Sequence, residues 1–387
     1  MLLGALTAHA AQSERPRTGP APDWVLPPGE GLATPPPDSG AVQVLLSDTQ
    51  VRMTTEAVES HVHTRIRIQN PQGLEMLGTL RFSWMPDSDV LTLHRLNVIR
   101  EGVAQDLLAN QDALTILRRE DLLEQAVLTG MLTAVLQPEG LRVGDTVEMS
   151  YTLQRRDPVV HDTPDASYVL GAGTANNVRL RVLWPDSLGL QWRTSSHLPS
   201  AVPVKARGWN ELSWQFDRVE PLQQPTGAPG RFAALRMLEV SSFRDWQALS
   251  RRLAPLYTRA SRLAPDSPLR AEVERIRRDH ATPEARAAAA LRLVQDDVRY
   301  VLLAMSDGNL NPADADERWR RRFGDCKAKS ALLLALLREL GIEADVVAVS
   351  TAFGDGLDGR LPGVGLFDHV LVRASIGSGT YWLDGTR

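Results

Sequence analysis

Cysteine is all but missing from this chain, which keeps one, Cys326, in 387 residues. A single thiol closes no intramolecular disulfide, so the sulfur either packs as a small apolar group or reacts. It leaves the redox compartment open. An excess of charge is missing too: the formal net charge is −4, with both signs mixed along the chain. No polycation is offered to a phosphate backbone, and nucleic acid is excluded as an expected partner. The cluster "RWRRRF" (318–323) reads as a solvated helix face. No apolar run reaches the ~18–20 residues that span a bilayer, so no transmembrane helix is expected. A phosphate loop is also absent, because "GAGTANN" (171–177) lacks the glycine spacing and the following helix that phosphate binding needs. What the chain does have is 43% hydrophobic residues in alternating patterns, material for about two ordinary globular domains.

The opening "MLLGALTAHAAQSERP" has a short apolar run followed by Ala8-His9-Ala10, the form of the tail of a secretory signal with a small-residue cleavage site. A basic start is missing, yet export is the expectation, with an ordinary disordered terminus as the alternative. Residues 12–40 are rich in proline and glycine and lack apolar periodicity, which predicts an extended linker. From Val42 the pattern turns to alternation. Segments such as "AVQVLLSDTQVRM", "ESHVHTRIRIQN", "VLTLHRLNVIR", "DTVEMSYTLQRR", "VRLRVLWP" and "NELSWQFDRV" place apolar and polar residues at period two, between turns of Gly, Pro, Asn and Asp. Many short strands at such spacing predict a β-sandwich over 41–235. One interruption, 111–132, reads as an inserted helical segment or lid. His61 and His63 share a strand face at i and i+2, but no third metal ligand is visible nearby, so a zinc or copper site is not expected. Nine tryptophans are scattered and read as core, with Trp192 and Trp214 as candidates for a carbohydrate- or peptide-binding face.

Beyond about 235 the periodicity becomes helical, so 236–387 is expected to be a second, α+β domain. Ser267 and Thr282 are placed as N-caps, each followed by proline at the first turn. The strongest helix is 326–340, where Leu332, Leu333, Leu336, Leu337 and Leu340 recur at core spacing and Gly341 supplies the stop. Cys326 opens that helix. Unpaired N–H groups and the macrodipole there favour a thiolate and could hold the oxygen of a tetrahedral intermediate; of its neighbours Asp325 and Lys327, only the lysine helps the thiolate. A thiolate needs a base, and His369, on the apolar strand "FDHVLV", is the best candidate. The next strand, "YWLD", ends at Asp384. An antiparallel pair turning at Gly377 to Thr380 would set that carboxylate beside the imidazole.

Taken together and in this order, "RRFGDCKAKSALLLALLRELGIEA", "FDHVLV" and "YWLDGT" resemble the nucleophile helix, histidine strand and aspartate strand of the transglutaminase-like superfamily, a relative of the papain-like fold. The β-rich region and the connector "SSFRDWQALSRRLAPLY" resemble the bacterial branch in which a β-sandwich domain of unknown function precedes that core. The resemblance covers about 40–387, and it implies Cys326 as nucleophile, His369 as base and Asp384 as its orienter. It implies that Tyr300 falls where relatives often carry an aromatic, with an oxyanion or a packing role. It implies acyl transfer on an amide or peptide bond through a thioester, ending in hydrolysis or in cross-linking to an amine, with no cofactor and no acidic loop that demands calcium. A protein or peptide substrate and a periplasmic or secreted location are implied as well. Ala328 and Gly385 depart from the branch's usual Gly-Asp-Cys-Lys-Asp-Lys and Asp-Pro-Thr. The chain stops three residues after Asp384, where relatives continue with further strands, so a fragment is expected. The rival reading is an envelope binding or scaffold protein that keeps the fold without the chemistry.

Overall fold

The computed structural model describes residues 14–29, 40–118, 120, 127–303, 310–351 and 356–386, which form a multi-sheet α+β protein. The possible leader, 1–10, lies outside them. The β-rich half is built on a nine-stranded sheet whose order runs through Arg17–Thr18, Asp89–Arg100, Thr146–Arg155, Val58–Ile68, Val42–Met53, Ala175–Pro185, Trp209–Val219 and Val204–Ala206. Val103–Asp106 is hairpinned onto Asp89–Arg100. Its two faces differ because side chains alternate along each strand. On one face Leu91, Leu93, Val147 and Ile68 meet Leu80, Phe82 and Trp84 of a three-stranded sheet that also contains Thr115–Arg118 and Leu132–Leu136. Further along the same face Val51, Leu180, Val182 and Leu212 meet Leu238 and Val240 of a second one, made of Asp165–Leu170, Arg236–Ser241 and Gln191–Thr194.

The opposite face is polar and still buried: Asp48, Gln50, His61, His63, Glu148, Thr152 and Arg181 are each at most 6% exposed. A strap covers part of it. Residues 14–29, part of the 12–40 segment expected to be an extended linker, are tied to the sheet by hydrogen bonds to their backbone. His94 Nδ1 bonds Gly19 O at 2.9 Å, Arg181 Nη1 donates to Trp24 O at 2.8 Å, and Gln50 both accepts from Leu26 N (3.0 Å) and donates to Leu26 O (2.7 Å). Arg179, paired with Asp48, adds a bond to Leu26 O at 2.8 Å. His61 and His63 do share this face, and both are engaged by protein: His61 by Thr152 and by stacking on His94, His63 by Glu148 at 2.9 Å.

Other expectations change. Within 111–132 the described residues form a short 3-10 turn and strands in place of a helix, because Thr115–Arg118 finds a ladder partner in Leu132–Leu136; residues 119 and 121–126 lie outside the description. Trp214 is core, with its Nε1 donating to Pro199 O, while Trp192 is partly exposed against Trp184, so the two form no common binding face. Arg318 is buried and stacks over Phe323, so the arginine cluster is only partly a solvated face. Arg236–Ser241 belongs to the β-rich half, and helices take over only after it.

Five of the six helices found among the described residues belong to the second half. After α1 (Pro71–Leu77) come α2 (Trp246–Ala260), α3 (Leu269–Asp279), α4 (Pro283–Asp297), α5 (Ala315–Arg321) and α6 (Cys326–Glu339). Thr282 caps α4 as expected, whereas α3 starts one residue late, with Ser267 Oγ accepting from Leu269 N. Every residue of α6 from Cys326 to Leu337 is buried, as befits a helix apolar nearly all round at the centre of its domain. Its end is a Schellman motif: Gly341 sits at φ +74° while Ile342 N and Gly341 N bond Leu337 O and Arg338 O. The helix lies on the antiparallel sheet Glu343–Val349, His369–Ile376, Gly379–Leu383, in which the histidine strand is central.

Candidate functional site

Cys326 is the first residue of α6 because Asp325 caps the helix, its Oδ1 accepting Ala328 N at 2.8 Å. Two contacts bind this end of the helix to the histidine strand. The Val370 N–H lies near enough to the sulfur to favour its thiolate, and Ser330, one turn on along the same face, donates its hydroxyl to Val370 O at 3.0 Å. The thiol therefore lies against the first residues of the strand that carries His369, and both side chains line one cleft of about 870 Å³.

The expected thiolate meets an opposing force. Cys326 is only 5% exposed, and burial pushes its thiol above the ordinary value. Lys327 pulls it down, Asp325 pushes it up, and the N–H groups of Val370 and Lys327 pull down again. Lys327 Nζ stands 2.6 Å from Asp325 Oδ2, so much of its charge is already answered. Desolvation wins over the helix start.

His369 Nε2 stands 3.0 Å from Asp384 Oδ2. Between an ionised carboxylate and a neutral imidazole the nitrogen is the donor, which fixes the tautomer and leaves Nδ1 free to accept. Burial alone would raise the Asp384 carboxyl, but the Thr386 hydroxyl and N–H, at 2.6 and 2.9 Å from Oδ1, together with His369, hold it below the usual range. Gln295 fixes the same residue through its backbone, donating to Asp384 O at 2.8 Å. Gly385 leaves little space beside it: a Cβ there would meet Val294 Cγ1 at 3.2 Å.

The structure thus brings His369 and Asp384 into contact and Cys326 into the same cleft. Tyr300 joins them, on a two-residue strand paired with Phe323–Gly324. Burial, then the negative charges of Cys326, Asp325 and Asp384, push its hydroxyl up to about 12. Two neighbours had no individual role in the sequence reading. Tyr257 of α2 lines the cleft and feels the same Cys326 and Asp325 charges, its hydroxyl raised chiefly by burial. Lys329, 1% exposed, donates to Val298 O at 2.5 Å, and burial lowers its ammonium while Asp384 and Asp296 oppose that. The second lysine of "CKAK" was visible as a charge inside an apolar helix, a signal that it must find buried partners. Tyr257 lies too far from Cys326 in the chain for spacing to reveal.

The cleft has an apolar wall from α2, made by Trp246, Leu249 and Leu253, facing Phe367 beside the histidine; Trp246 and Phe367 meet edge to face at 5.9 Å.

Residues 55–223 match DUF3857, a domain family of unknown function with a solved structure. No curated protein matches the chain. Among solved structures, a candidate protease from Parabacteroides distasonis is similar in fold, with a TM-score of 0.72 at 14% identity, covering 89% of this chain and 67% of the other. The periplasmic domain of TgpA from Pseudomonas aeruginosa shows 18% identity over 75% of this chain and 86% of its own, at a TM-score of 0.24. Aminopeptidase A from Legionella pneumophila, at 11% identity, covers 53% of this chain and 22% of its own, with a TM-score of 0.28. The similarity that speaks to architecture is the first. Among the described residues no helix is long and apolar enough to cross a membrane.

Proposed function

We propose that this protein is a cysteine-dependent acyl-transfer enzyme of the transglutaminase-like, papain-related kind, acting on an amide or peptide bond, in which a β-sandwich precedes the catalytic core. The observation that carries the reading is the bond from His369 Nε2 to Asp384 Oδ2, made in the same cleft as the only sulfhydryl of the chain. Similarity in fold to a candidate protease supports a peptide substrate. Export to the periplasm or beyond is part of the proposal and rests on the form of residues 1–10.

The raised thiol decides how the reaction starts. Without a standing thiolate, His369 Nδ1 takes the proton as the sulfur attacks the carbonyl, and Nε2–H donated to Asp384 steadies the imidazolium that forms. The oxyanion is met by N–H groups at the start of α6 and by the Tyr300 hydroxyl, which stays protonated at any working pH. Collapse of the tetrahedral species returns the proton to the departing amine and leaves a thioester on Cys326. Water then gives hydrolysis, an amine cross-linking.

Burial of the thiol is also what a non-catalytic scaffold would show, and alkylation separates the two. With its thiol raised and buried, Cys326 should react with iodoacetamide near neutral pH only as fast as His369 can draw off its proton, so His369→Ala should slow that labelling several-fold. A peptide or glutamine substrate should leave an acyl adduct that mass spectrometry detects in the native protein and not in Cys326→Ala. Equal, slow labelling of the native and His369→Ala proteins would establish the scaffold.

A further inference from the structure

The loop leading into His369 is held by the other half of the molecule. Ser241 Oγ donates to Pro362 O at 2.5 Å, Arg360 Nε pairs with Glu239 Oε1 at 2.5 Å, and the Asp165 carboxylate lies against the loop, where the N–H groups of Val364 and Gly365 favour its charged form. Asp165, Glu239 and Ser241 lie on adjacent strands of one three-stranded sheet, with Asp165 directly opposite Ser241. The fit is close: a Cβ at Gly363 would stand 2.7 Å from Asp165 Oδ1. From Gly365 only Leu366, Phe367 and Asp368 intervene before His369, and Asp368 is itself tied to Thr351 through its N–H and hydroxyl at 2.7 and 2.8 Å.

We propose that Asp165 is a positioning residue for the thiol–imidazole site, setting where His369 stands by gripping the loop 361–367 from the β-rich half. The inference rests on the reading of Cys326 and His369 given above and adds to it that the β-rich half is a working part of the site. A carboxylate accepts two N–H groups side by side, whereas its protonated form, or an amide, accepts only one in that position. Burial lifts Asp165 to about 6, the two N–H groups pulling the other way and Asp157 adding to the rise. The charged groups around it are Arg155, held by Asp89, then Asp157 and His161, and Glu239, held by Arg360; Tyr168 lies on its own strand. The grip is therefore complete above about pH 6 and weakens below it.

The test compares alkylation of Cys326 in Asp165→Asn and in the native protein as a ratio of rates across pH 4.5 to 8, with His369→Ala as a reference. A small misplacement of a catalytic group costs up to about 10²-fold, so a ratio of roughly one tenth is expected at pH 8, rising toward one below pH 5, where the native carboxylate is itself protonated. Ser241→Ala, which removes an uncharged part of the same grip, should give a reduced ratio that is flat with pH. A flat Asp165→Asn ratio, at one or below it, overturns the proposal while leaving the cysteine–histidine reading in place. Labelling of His369→Ala at the native rate removes both. Should Asp165→Asn not fold, hydrogen exchange of the native protein decides: protection at Val364 and Gly365, corrected for intrinsic rates, should drop as pH falls through about 6, and unchanged protection refutes the grip.

Discussion

Thr386 gives Asp384 two of the bonds that keep its carboxyl low, so the charge that orients His369 depends on a residue that touches no substrate. Replacing it with valine removes the hydroxyl and raises the Asp384 pKa. The Asp384 carboxyl, followed by NMR, should then titrate at higher pH than in the native protein, while the rate at neutral pH stays within a few-fold of native; an unmoved titration would show that Thr386 does not hold the carboxyl down. Asp384→Asn is the harsher change, since the amide reverses the hydrogen bond that selects the His369 tautomer. Turnover should fall by roughly 10²–10⁴-fold, with little change in thermal stability because the carboxylate is partly exposed.

At the scale of elements, α6 and the strap behave differently. Leu333 and Leu336 are fully buried, and truncating either to alanine should cost about 2–5 kcal/mol in denaturant unfolding; a loss under about 1 kcal/mol would mean that the helix is less central than its burial indicates. Arg179→Ala leaves Asp48, 1% exposed, without its cationic partner, though the Gln50 amide still donates to it at 3.0 Å. Removal of one member of a buried pair costs about 3–5 kcal/mol, and protease sensitivity should appear first within residues 14–29. These two elements also mark what was legible in the sequence. Leucine spacing, the cap at Thr282, the Gly341 stop and the order of Cys326, His369 and Asp384 are local signals, and each element lies close to where those signals place it. The strap was missed because its stability comes from Gln50, His94, Arg179 and Arg181, which no pattern within 14–29 records. The Asp165 contact was missed for the same reason, its partners standing about 200 positions away in the chain. The thiol was misjudged because the favourable helix start is a local effect, whereas the burial that outweighs it comes from the whole domain.

The molecule as a whole should weaken in acid, beginning with the buried polar face of its large sheet. His61 is lowered to about 4 by burial and the nearby His94, so between its free value and that point the unfolded chain takes up a proton that the fold refuses. Stability contributed by a neutral His61 is thus present at pH 7 and lost as pH drops below about 6.5, on the order of 2–3 kcal/mol by pH 4. Glu148 is buried, which would raise it, but His63, Asn97 and Arg65 bring it to about 2, so its contribution is lost from about pH 4.5 downward. The two losses run in sequence. Melting temperature should fall steadily from pH 6.5 to 3, and His61→Gln should flatten the upper part of that slope; a melting temperature constant from pH 7 to 4.5 would contradict the account.

The placement of the one sulfhydryl at the floor of a cleft, 5% exposed, bears on how the protein survives air and oxidants. A bridge between two copies would require both sulfurs to reach out of separate recesses to within about 2 Å of each other, so stored protein should run as a single band without reductant. Small oxidants such as peroxide can enter where a second polypeptide cannot, which makes sulfenic acid the expected first injury and a thiol reductant its remedy.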